Sequence, residues 1–205
     1  MRNKKTYAAL VGAATLGALA FSTGGASSHG YVDKPISRAK LCANGTVSNC
    51  GSIQWEPQSV EGPKGFPAAG PADGALCSAG NAGFKQLDAA KAPNGSDWPA
   101  TQVTGGQGYT FQWQFTARHR TTDFRYYITK DGWDSSKPLT RASLESQPFL
   151  TLPYGGQQPP ATLSHQGTMP TQKSGKHVIL AVWNVHDTAN AFYSCADVKL
   201  SLIHS

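Results

Sequence analysis

Tyr109-Thr110-Phe111-Gln112-Trp113-Gln114-Phe115-Thr116 is the stretch that decides the fold, because aromatic and polar side chains alternate along all of it. Successive side chains of a β-strand point to opposite faces, so this period of two predicts a strand with one aromatic face. Phe124, Tyr126 and Ile128 repeat the pattern and predict a second strand. A tight connection, Arg118–Thr122, joins the two predicted strands.

Two later segments extend this pattern. His177–Val185 is apolar on both faces, which is typical of a central strand, and Val198, Leu200 and Leu202 alternate with their neighbours in a predicted last strand. Several predicted strands are separated by turn residues, and no strong helical pattern is present, which favours an all-β fold. We expect an antiparallel β-sandwich of the immunoglobulin type.

Residues 30–100 lack this regularity and are rich in Gly, Pro, Ala, Asn and Ser. Cysteines and several aromatic residues lie among them, so we predict a large ordered loop region rather than a disordered linker. Short helical turns are expected around Asn81–Ala90. Residues 153–160, rich in Pro, Gly and Gln, are predicted to form a further loop.

The first 28 residues have the three parts of a secretory signal. Three basic residues fall within residues 2–5, an uncharged apolar run of 14 residues spans Ala8–Phe21, and small residues occupy positions 26–28. A membrane anchor is the alternative, but a membrane span needs about 20 apolar residues. The sequence therefore predicts a secreted, extracellular protein with a single mature domain, residues 29–205.

Removal of the signal leaves 177 of 205 residues, enough for one domain with a proper core. The formal charge then falls from +6 to +3, because the signal holds three basic residues and no acidic residue. No dense cluster of Lys and Arg is present, so nucleic-acid binding is not expected. No later segment is apolar enough to span a membrane, and we expect a monomer that does not associate with membranes.

The mature part contains four cysteines, and an even count in an exported chain predicts two disulfides with three possible pairings. Cys42 and Cys50 are eight positions apart and suit a local staple. Cys77 and Cys195 would then close a long loop, and in the chain-entropy model this closure stabilises the folded state by about 4–5 kcal/mol. A cysteine metal site is disfavoured because no Cys-x-x-Cys spacing exists.

The sequence contains six histidines: His29, His119, His165, His177, His186 and His204. His204 lies beside the C-terminus and His165 in a predicted polar loop, so neither is expected to bind a ligand. His177 opens a strand and is interpreted as capping it, whereas His186 is ambiguous. His119 stands at a corner between two strands, where its side chain could point out of one end of the sandwich.

His29 differs from the others because cleavage after Ser28 would make it the first residue. Its α-amine and its ring Nδ1 would then chelate one metal ion, and an α-amine has a pKa low enough, near 7.7–8, to be deprotonated on binding. A second imidazole would bring three nitrogens into one plane. Such a planar nitrogen site favours copper(II).

Four segments carry a resemblance to a known family: His29-Gly30-Tyr31-Val32, Gln54–Gly62, Phe115–His119 and Trp183–Phe192. They are spread over the mature chain, which resembles a bacterial lytic polysaccharide monooxygenase of auxiliary activity family ten, first classified as chitin-binding proteins. The resemblance implies a fibronectin/immunoglobulin-like sandwich with a large loop region between its first strands, which matches residues 30–100. It also implies one copper ion per chain, held by His29 and His119 in a histidine brace.

The resemblance assigns three further residues to the surroundings of the copper. Phe192 would fill one axial side, Ala117 would shape a small pocket near the other, and Glu61 could accept or return a proton. Core packing is the alternative role for Phe192, and a solvated loop charge is the alternative for Glu61.

The resemblance also assigns a flat substrate face with an aromatic platform and hydrogen-bonding groups. Trp55 would stack on a sugar ring, at a position where the family often has Tyr; a half-buried loop anchor is its alternative role. The remaining members of this face are Glu56, Pro57, Gln58, Ser59, Asp187 and Thr188.

The implied function is copper-dependent oxidative cleavage of crystalline chitin at the sugar C1, which leaves aldonic acid ends. It needs an external electron donor and either O2 or H2O2. A non-catalytic chitin-binding protein and a copper carrier are the competing functions. No pair of carboxylates in the roles of a glycoside hydrolase is evident.

Overall fold

The computed structural model of the chain describes residues 28–202. The predicted secretory signal therefore lies outside the described residues apart from Ser28, and so does His204. Within the described range, no helix is both long enough and apolar enough to cross a membrane.

Two β-sheets face each other. The smaller sheet has the order β1-β4-β7, and its strands are β1 (His29–Lys34), β4 (Gly108–Ala117) and β7 (Thr162–Thr168). The larger sheet contains β2 (Glu61–Pro63), β3 (Thr101–Thr104), β5 (Thr121–Ile128), β6 (Leu150–Gln157), β8 (Gly175–Val185) and β9 (Asn190–Ser201). Its order is β2-β9-β8-β5-β6, with β3 pairing in parallel with β9. Every other strand pairing in the described residues is antiparallel, as predicted.

An aromatic core fills the space between the sheets. The inward rings of β4 meet those of the larger sheet, with centroids 4.6 Å apart for Phe111 and Tyr126 and 5.6 Å apart for Trp113 and Phe124. Trp183 of β8 completes the cluster, 4.7 Å from Phe115. Burial of each such ring stabilises the fold by roughly 1.5–3 kcal/mol. The alternation that predicted β4 therefore defines the core of the sandwich.

Most of the chain between β1 and β3 packs on the outer face of the larger sheet and forms a second core with it. It contains α1 (Arg38–Ala43) and two short 3-10 helices, Gly51–Gln54 and Ala82–Asp88, the second of which confirms the expected helical turns. Tyr127 of β5 lies in this second core, so β5 is covered on both faces.

Two disulfides hold the loop region, with the pairs Cys42–Cys50 and Cys77–Cys195. Cys42–Cys50 staples the end of α1 to the following turn, whereas Cys77–Cys195 ties the region to β9. Both pairings agree with the cysteine spacing.

Two local predictions were wrong. The predicted loop 153–160 is largely strand, because β6 runs to Gln157, and His165 lies in β7 rather than in a loop. Both strands are at sheet edges. Edge strands tolerate the Pro and Gly residues that argue against a central strand.

Candidate metal centre

His29 and His119 lie at the same end of the sandwich. His29 pairs with Ala117 across β1 and β4, and His119 follows two residues later in the connection that crosses to β5 in the other sheet. The close approach of β1 to β4 depends on Gly30, where a Cβ atom would lie 2.7 Å from Phe115 Cδ1. The fold therefore brings together the two residues predicted to bind metal.

The ring of His119 is mostly buried, with 13% of its side chain exposed. Its Nδ1 lies 2.7 Å from Asp187 Oδ1. In metal-binding histidines a carboxylate commonly orients the ring through the nitrogen that does not bind the metal, so Nε2 is the nitrogen of His119 that we expect to serve as a ligand.

Two imidazoles at this end, together with the α-amine that cleavage after Ser28 would free, would form a donor set of the kind that copper(II) prefers. Residues 28–202 contain no cluster of three or more His, Cys, Asp or Glu side chains able to hold a metal ion. The predicted centre uses only two such side chains, His29 and His119, so its third nitrogen has to come from the main chain.

Phe192 and Glu61 face each other across β2 and β9. Phe192 is fully buried and stacks on Trp183, with ring centroids 4.7 Å apart, so it belongs to the aromatic core as its alternative role predicted. Glu61 Oε1 accepts a hydrogen bond of 2.9 Å from Asn190 Nδ2. This bond orients the carboxylate and is itself exposed, so the solvated charge stays the alternative role of Glu61.

The predicted substrate face begins beside β1, since the Gly30 N–H donates to the Gln58 carbonyl at 3.0 Å. Trp55 is 80% exposed, which rules out its alternative role as a half-buried anchor. The residues that follow Trp55 form a turn closed by the Ser59 N–H and the Glu56 carbonyl at 2.9 Å. The bond between Gly30 and Gln58 ties this turn to β1, the strand that begins at His29.

Asp187 and Thr188 lie in the turn that joins β8 to β9, and Lys64 binds this turn. The Lys64 ammonium donates to the carbonyls of Val185 and of Thr188, the second at 2.6 Å, and the Lys64 backbone N–H donates to the Ala189 carbonyl at 2.9 Å. Lys64 was missed in the sequence, where a single lysine in a Gly/Pro-rich segment carries no periodic or motif signal.

The connection that carries His119 is bound to the same turn. The His186 N–H donates to the Arg120 carbonyl at 2.8 Å, and the Arg120 Nε donates to the Gly156 carbonyl at 2.9 Å. His186 itself is exposed, with Nδ1 3.3 Å from Thr122 Oγ1. The two loops of the candidate centre are thus fixed to each other through their main chains.

A model of one protein family, described as "lytic polysaccharide mono-oxygenase, cellulose-degrading", matches residues 29–198. This range begins at His29 and covers β1 to most of β9. The chain belongs to the lytic polysaccharide monooxygenases of auxiliary activity family ten.

Three relatives illustrate the likeness. An auxiliary activity family ten lytic polysaccharide monooxygenase from Streptomyces lividans is 67% identical, with a TM-score of 0.83 over 83% of this chain and 99% of that chain. A Bacillus amyloliquefaciens protein of carbohydrate-binding family 33, solved with Cu(I), is 42% identical, with a TM-score of 0.75 over 84% of this chain and all of that chain. The GlcNAc-binding protein A of Shewanella oneidensis is 49% identical over 86% of this chain.

Membership of the lytic polysaccharide monooxygenases confirms the immunoglobulin-like β-sandwich. At the level of the family, the chemistry is oxidative cleavage of polysaccharide by a copper-dependent monooxygenase. The chain spans 36% to 56% of the length of the first curated relatives that it matches. It covers 99% of the Streptomyces lividans structure.

Proposed function

We propose that this chain is a secreted copper monooxygenase that hydroxylates C1 of crystalline chitin and thereby cleaves the glycosidic bond, leaving aldonic acid ends. The observation that carries the proposal is that His29 and His119, whose ring contacts Asp187, lie at one end of the sandwich, where the segment that contains the exposed Trp55 is bonded to β1 through Gln58. The proposed ligands and the proposed stacking platform would therefore share this end.

In this proposal the α-amine and ring of His29 and the ring of His119 hold one copper ion per chain. Copper bound there would supply one-electron chemistry, with an external electron donor and O2 or H2O2 as co-substrate. Cleavage after Ser28 is then an activating step, because it creates one of the three nitrogen ligands.

The other residues act on water, protons and the sugar. Phe192, packed on Trp183, covers one side of the centre and keeps water from it. Ala117 leaves space on the other side because its side chain is small. Glu61, fixed by Asn190, accepts and returns a proton during hydroxylation.

The substrate face orients the chitin surface. Trp55 stacks on a sugar ring, and the polar groups of Glu56, Gln58 and Ser59 bond to hydroxyl and acetamido groups, with Pro57 stiffening the turn. Asp187 and Thr188 extend the face on the other side of His119. The name of the Shewanella oneidensis relative, a GlcNAc-binding protein, supports chitin as the substrate. The family description names cellulose, so cellulose is the substrate with which chitin is compared in the test.

The test uses copper-loaded protein that begins at His29, incubated with β-chitin and ascorbate, with mass spectrometry of the released sugars. We expect oligosaccharides with aldonic acid ends from β-chitin and fewer or none from cellulose. Protein that retains Ser28 is the matched control, since it has the same side chains but no α-amine at His29, and it should release no oxidised sugar.

Two outcomes would favour the competing functions. Binding to chitin without oxidised products would make the chain a non-catalytic chitin-binding protein. Failure to sediment with chitin, together with transfer of copper to a chelating partner, would make it a copper carrier. The intact mass of the secreted protein checks separately whether the chain begins at His29.

A further inference from the structure

Two exposed arginines, Arg118 and Arg120, stand on either side of His119 in the connection from β4 to β5. Neither forms an ion pair with any residue in the range 28–202. The other three arginines of that range are all paired with carboxylates: Arg38 with Asp197, Arg125 with Asp123 and Arg141 with Asp73. The two arginines that lack a carboxylate partner in the described chain therefore flank the proposed copper ligand.

The connection that carries the two arginines is held against the end of β6. Arg120 Nε donates to the Gly156 carbonyl at 2.9 Å, and Gln158 Nε2 donates to the Arg118 carbonyl at 3.0 Å. Gly156 admits the guanidinium, because a Cβ atom there would lie 3.2 Å from Arg120 Nη2. These bonds fix the main chain of the connection and leave the terminal nitrogens of Arg120 without a partner among the described residues.

The segments that build this corner of the molecule carry no negative charge. Residues 98–122 contain no Asp or Glu, and neither do residues 146–186, which form β6, β7 and β8. The acidic residues that follow these two segments, Asp123 and Asp187, are already in contact with Arg125 and with the His119 ring. The positive charge of Arg118 and Arg120 is therefore not offset by the segments around it.

The remaining carboxylates of this end lie on its other side. Glu61 opens β2, and the order β2-β9-β8-β5 places three strand spacings, or about 14 Å, between β2 and the strand that follows Arg120. Charges in physiological salt are screened over about 8 Å, so Glu61 does not neutralise the arginines. Glu56 lies in the turn bonded to β1 and forms no ion pair with either arginine.

We propose that Arg118 and Arg120 form a docking site for a small anionic electron donor of the chemical class of ascorbate, an enediol that is ionised at neutral pH. Guanidinium N–H groups bond strongly to such negatively charged oxygens, and a local positive potential raises the rate of encounter. Two charges two positions apart make a patch of the size of one small molecule. The patch lies beside His119, where the electron is needed.

The role of the bound anion rests on the proposed function, because an electron is needed there only if His119 holds copper. In the encounter the donor gives one electron to copper(II), which becomes copper(I). The donor becomes a radical and releases its remaining enediol proton to water. The arginines take no part in this transfer and act by binding and orienting the anion.

The first test uses copper-free protein that begins at His29, titrated with ascorbate without oxygen and followed through the arginine Nε–H signals in an NMR spectrum. We expect saturable shifts of Arg118 and Arg120 at roughly millimolar concentration and none with hydroquinone, which is uncharged. The Nε–H signals of Arg38 and Arg141 are internal controls, since both side chains are already paired.

The second test measures reduction of copper(II)-loaded protein by stopped-flow tryptophan fluorescence, without polysaccharide. Arg118→Gln and Arg120→Gln should each slow reduction by ascorbate roughly twofold to threefold at low salt, and neither should slow reduction by hydroquinone. Arg120→Lys should retain the rate, because it keeps the charge. An unchanged copper(II) EPR spectrum in each variant shows that the copper ligands are intact.

Lys130→Gln is the matched control, since Lys130 is an exposed cation just past the far end of β5. At about 3.3 Å per residue, the eight residues of β5 place it some 26 Å from Arg120, well beyond the range of screening. The rate of reduction by ascorbate should equal that of the unchanged protein.

Three outcomes would overturn the proposal: no shift of Arg118 and Arg120, equal slowing with ascorbate and hydroquinone, or equal slowing in Lys130→Gln. Slowing that appears only when an acidic electron-transfer protein is the donor would assign the surface to a macromolecular partner instead. None of these measurements involves chitin. Protein that shows the shifts but does not oxidise β-chitin would contradict the proposed function and leave the anion site assigned.

Discussion

A buried histidine stands at each end of β8, and the two are held in opposite ways. At the beginning of the strand, His177 Nδ1 lies 2.9 Å from Thr129 Oγ1 and its Nε2 lies 3.2 Å from the Ser174 carbonyl. At the other end, the polar contact of the His119 ring within the described part of the chain is that of Nδ1 with Asp187 Oδ1, at 2.7 Å. A histidine with both nitrogens bonded is a structural residue, whereas a ring that a carboxylate orients at one nitrogen can bind a metal ion through the other.

His165 shows that a buried ring nitrogen without a hydrogen bond does not by itself indicate a metal site. Its Nε2 is 2.8 Å from the Tyr126 hydroxyl, yet its buried Nδ1 lacks a hydrogen-bond partner in the described residues, like that of His119. His165 packs on the aromatic core, where its ring stacks with Phe111. His119 differs because the pairing of β1 with β4 brings a second imidazole, that of His29, to the same end.

The largest effect is expected for His119→Ala. Loss of one of three nitrogen ligands should weaken copper binding by more than about 100-fold, since changes that only touch a ligand's neighbours cost 10–100-fold. Isothermal titration calorimetry with copper(II) measures this. The unfolding transition of the copper-free protein is measured alongside, because the variant also removes a mostly buried ring and its contact with Asp187.

His177→Ala is the matched change at the other end of β8. It removes a buried ring with hydrogen bonds on both nitrogens and should lower the free energy of unfolding by about 2–4 kcal/mol. Urea unfolding with the disulfides intact checks the value. Copper affinity should equal that of the unchanged protein, and a loss of copper binding here would break the distinction between the two ends.

The sequence predicted the parts of this comparison that depend on local pattern. The alternation in β4 follows from rings that share one buried face, and the corner position of His119 follows from where that alternation stops. The strand that contains His165 was not predicted, because the inward positions of β7 are not uniformly apolar. One of them is Gly167, where a Cβ atom would lie 2.6 Å from Leu150 Cδ2. The close packing here requires glycine, which adds nothing to the alternation of apolar and polar residues.

The sequence did not predict contacts between distant parts of the chain. Lys64 reaches carbonyl groups more than 120 positions away, and the contact of His119 with Asp187 depends on how two loops meet. Neither leaves a periodic signal, because a single hydrogen bond constrains only one residue. The family resemblance supplied the roles of Phe192 and Glu61, for which the residue pattern alone favoured core packing and a solvated charge.

Lys64→Met tests whether the turn at the copper end needs its support. The variant keeps the length of the side chain but leaves the carbonyls of Val185 and Thr188 without their donor. We expect copper affinity and chitin binding to fall by up to about 10-fold, with a broader copper(II) EPR spectrum. Lys176→Met, an exposed lysine at the other end of β8, should leave the EPR spectrum unchanged; the same broadening in both variants would contradict the role of Lys64.

The smallest effect concerns His165 and pH. Burial lowers the pKa of His165 to about 4, below its ordinary value of 6.5. Between these two values the unfolded chain binds a proton that the folded chain does not, so this residue's contribution to stability is present above pH 6.5 and is lost as the pH falls towards 4. The loss should be on the order of 1 kcal/mol after allowance for partial exposure of the ring.

His165→Gln isolates this contribution, because glutamine keeps a polar group towards Tyr126 and does not titrate. Urea unfolding of both proteins at several pH values between 4 and 7 gives the difference in stability, from which the shared carboxylates and His177 cancel. The difference should shrink steadily as the pH falls. A constant difference would mean that the folded protein accepts the proton as readily as the unfolded chain, which would contradict the lowered pKa of His165.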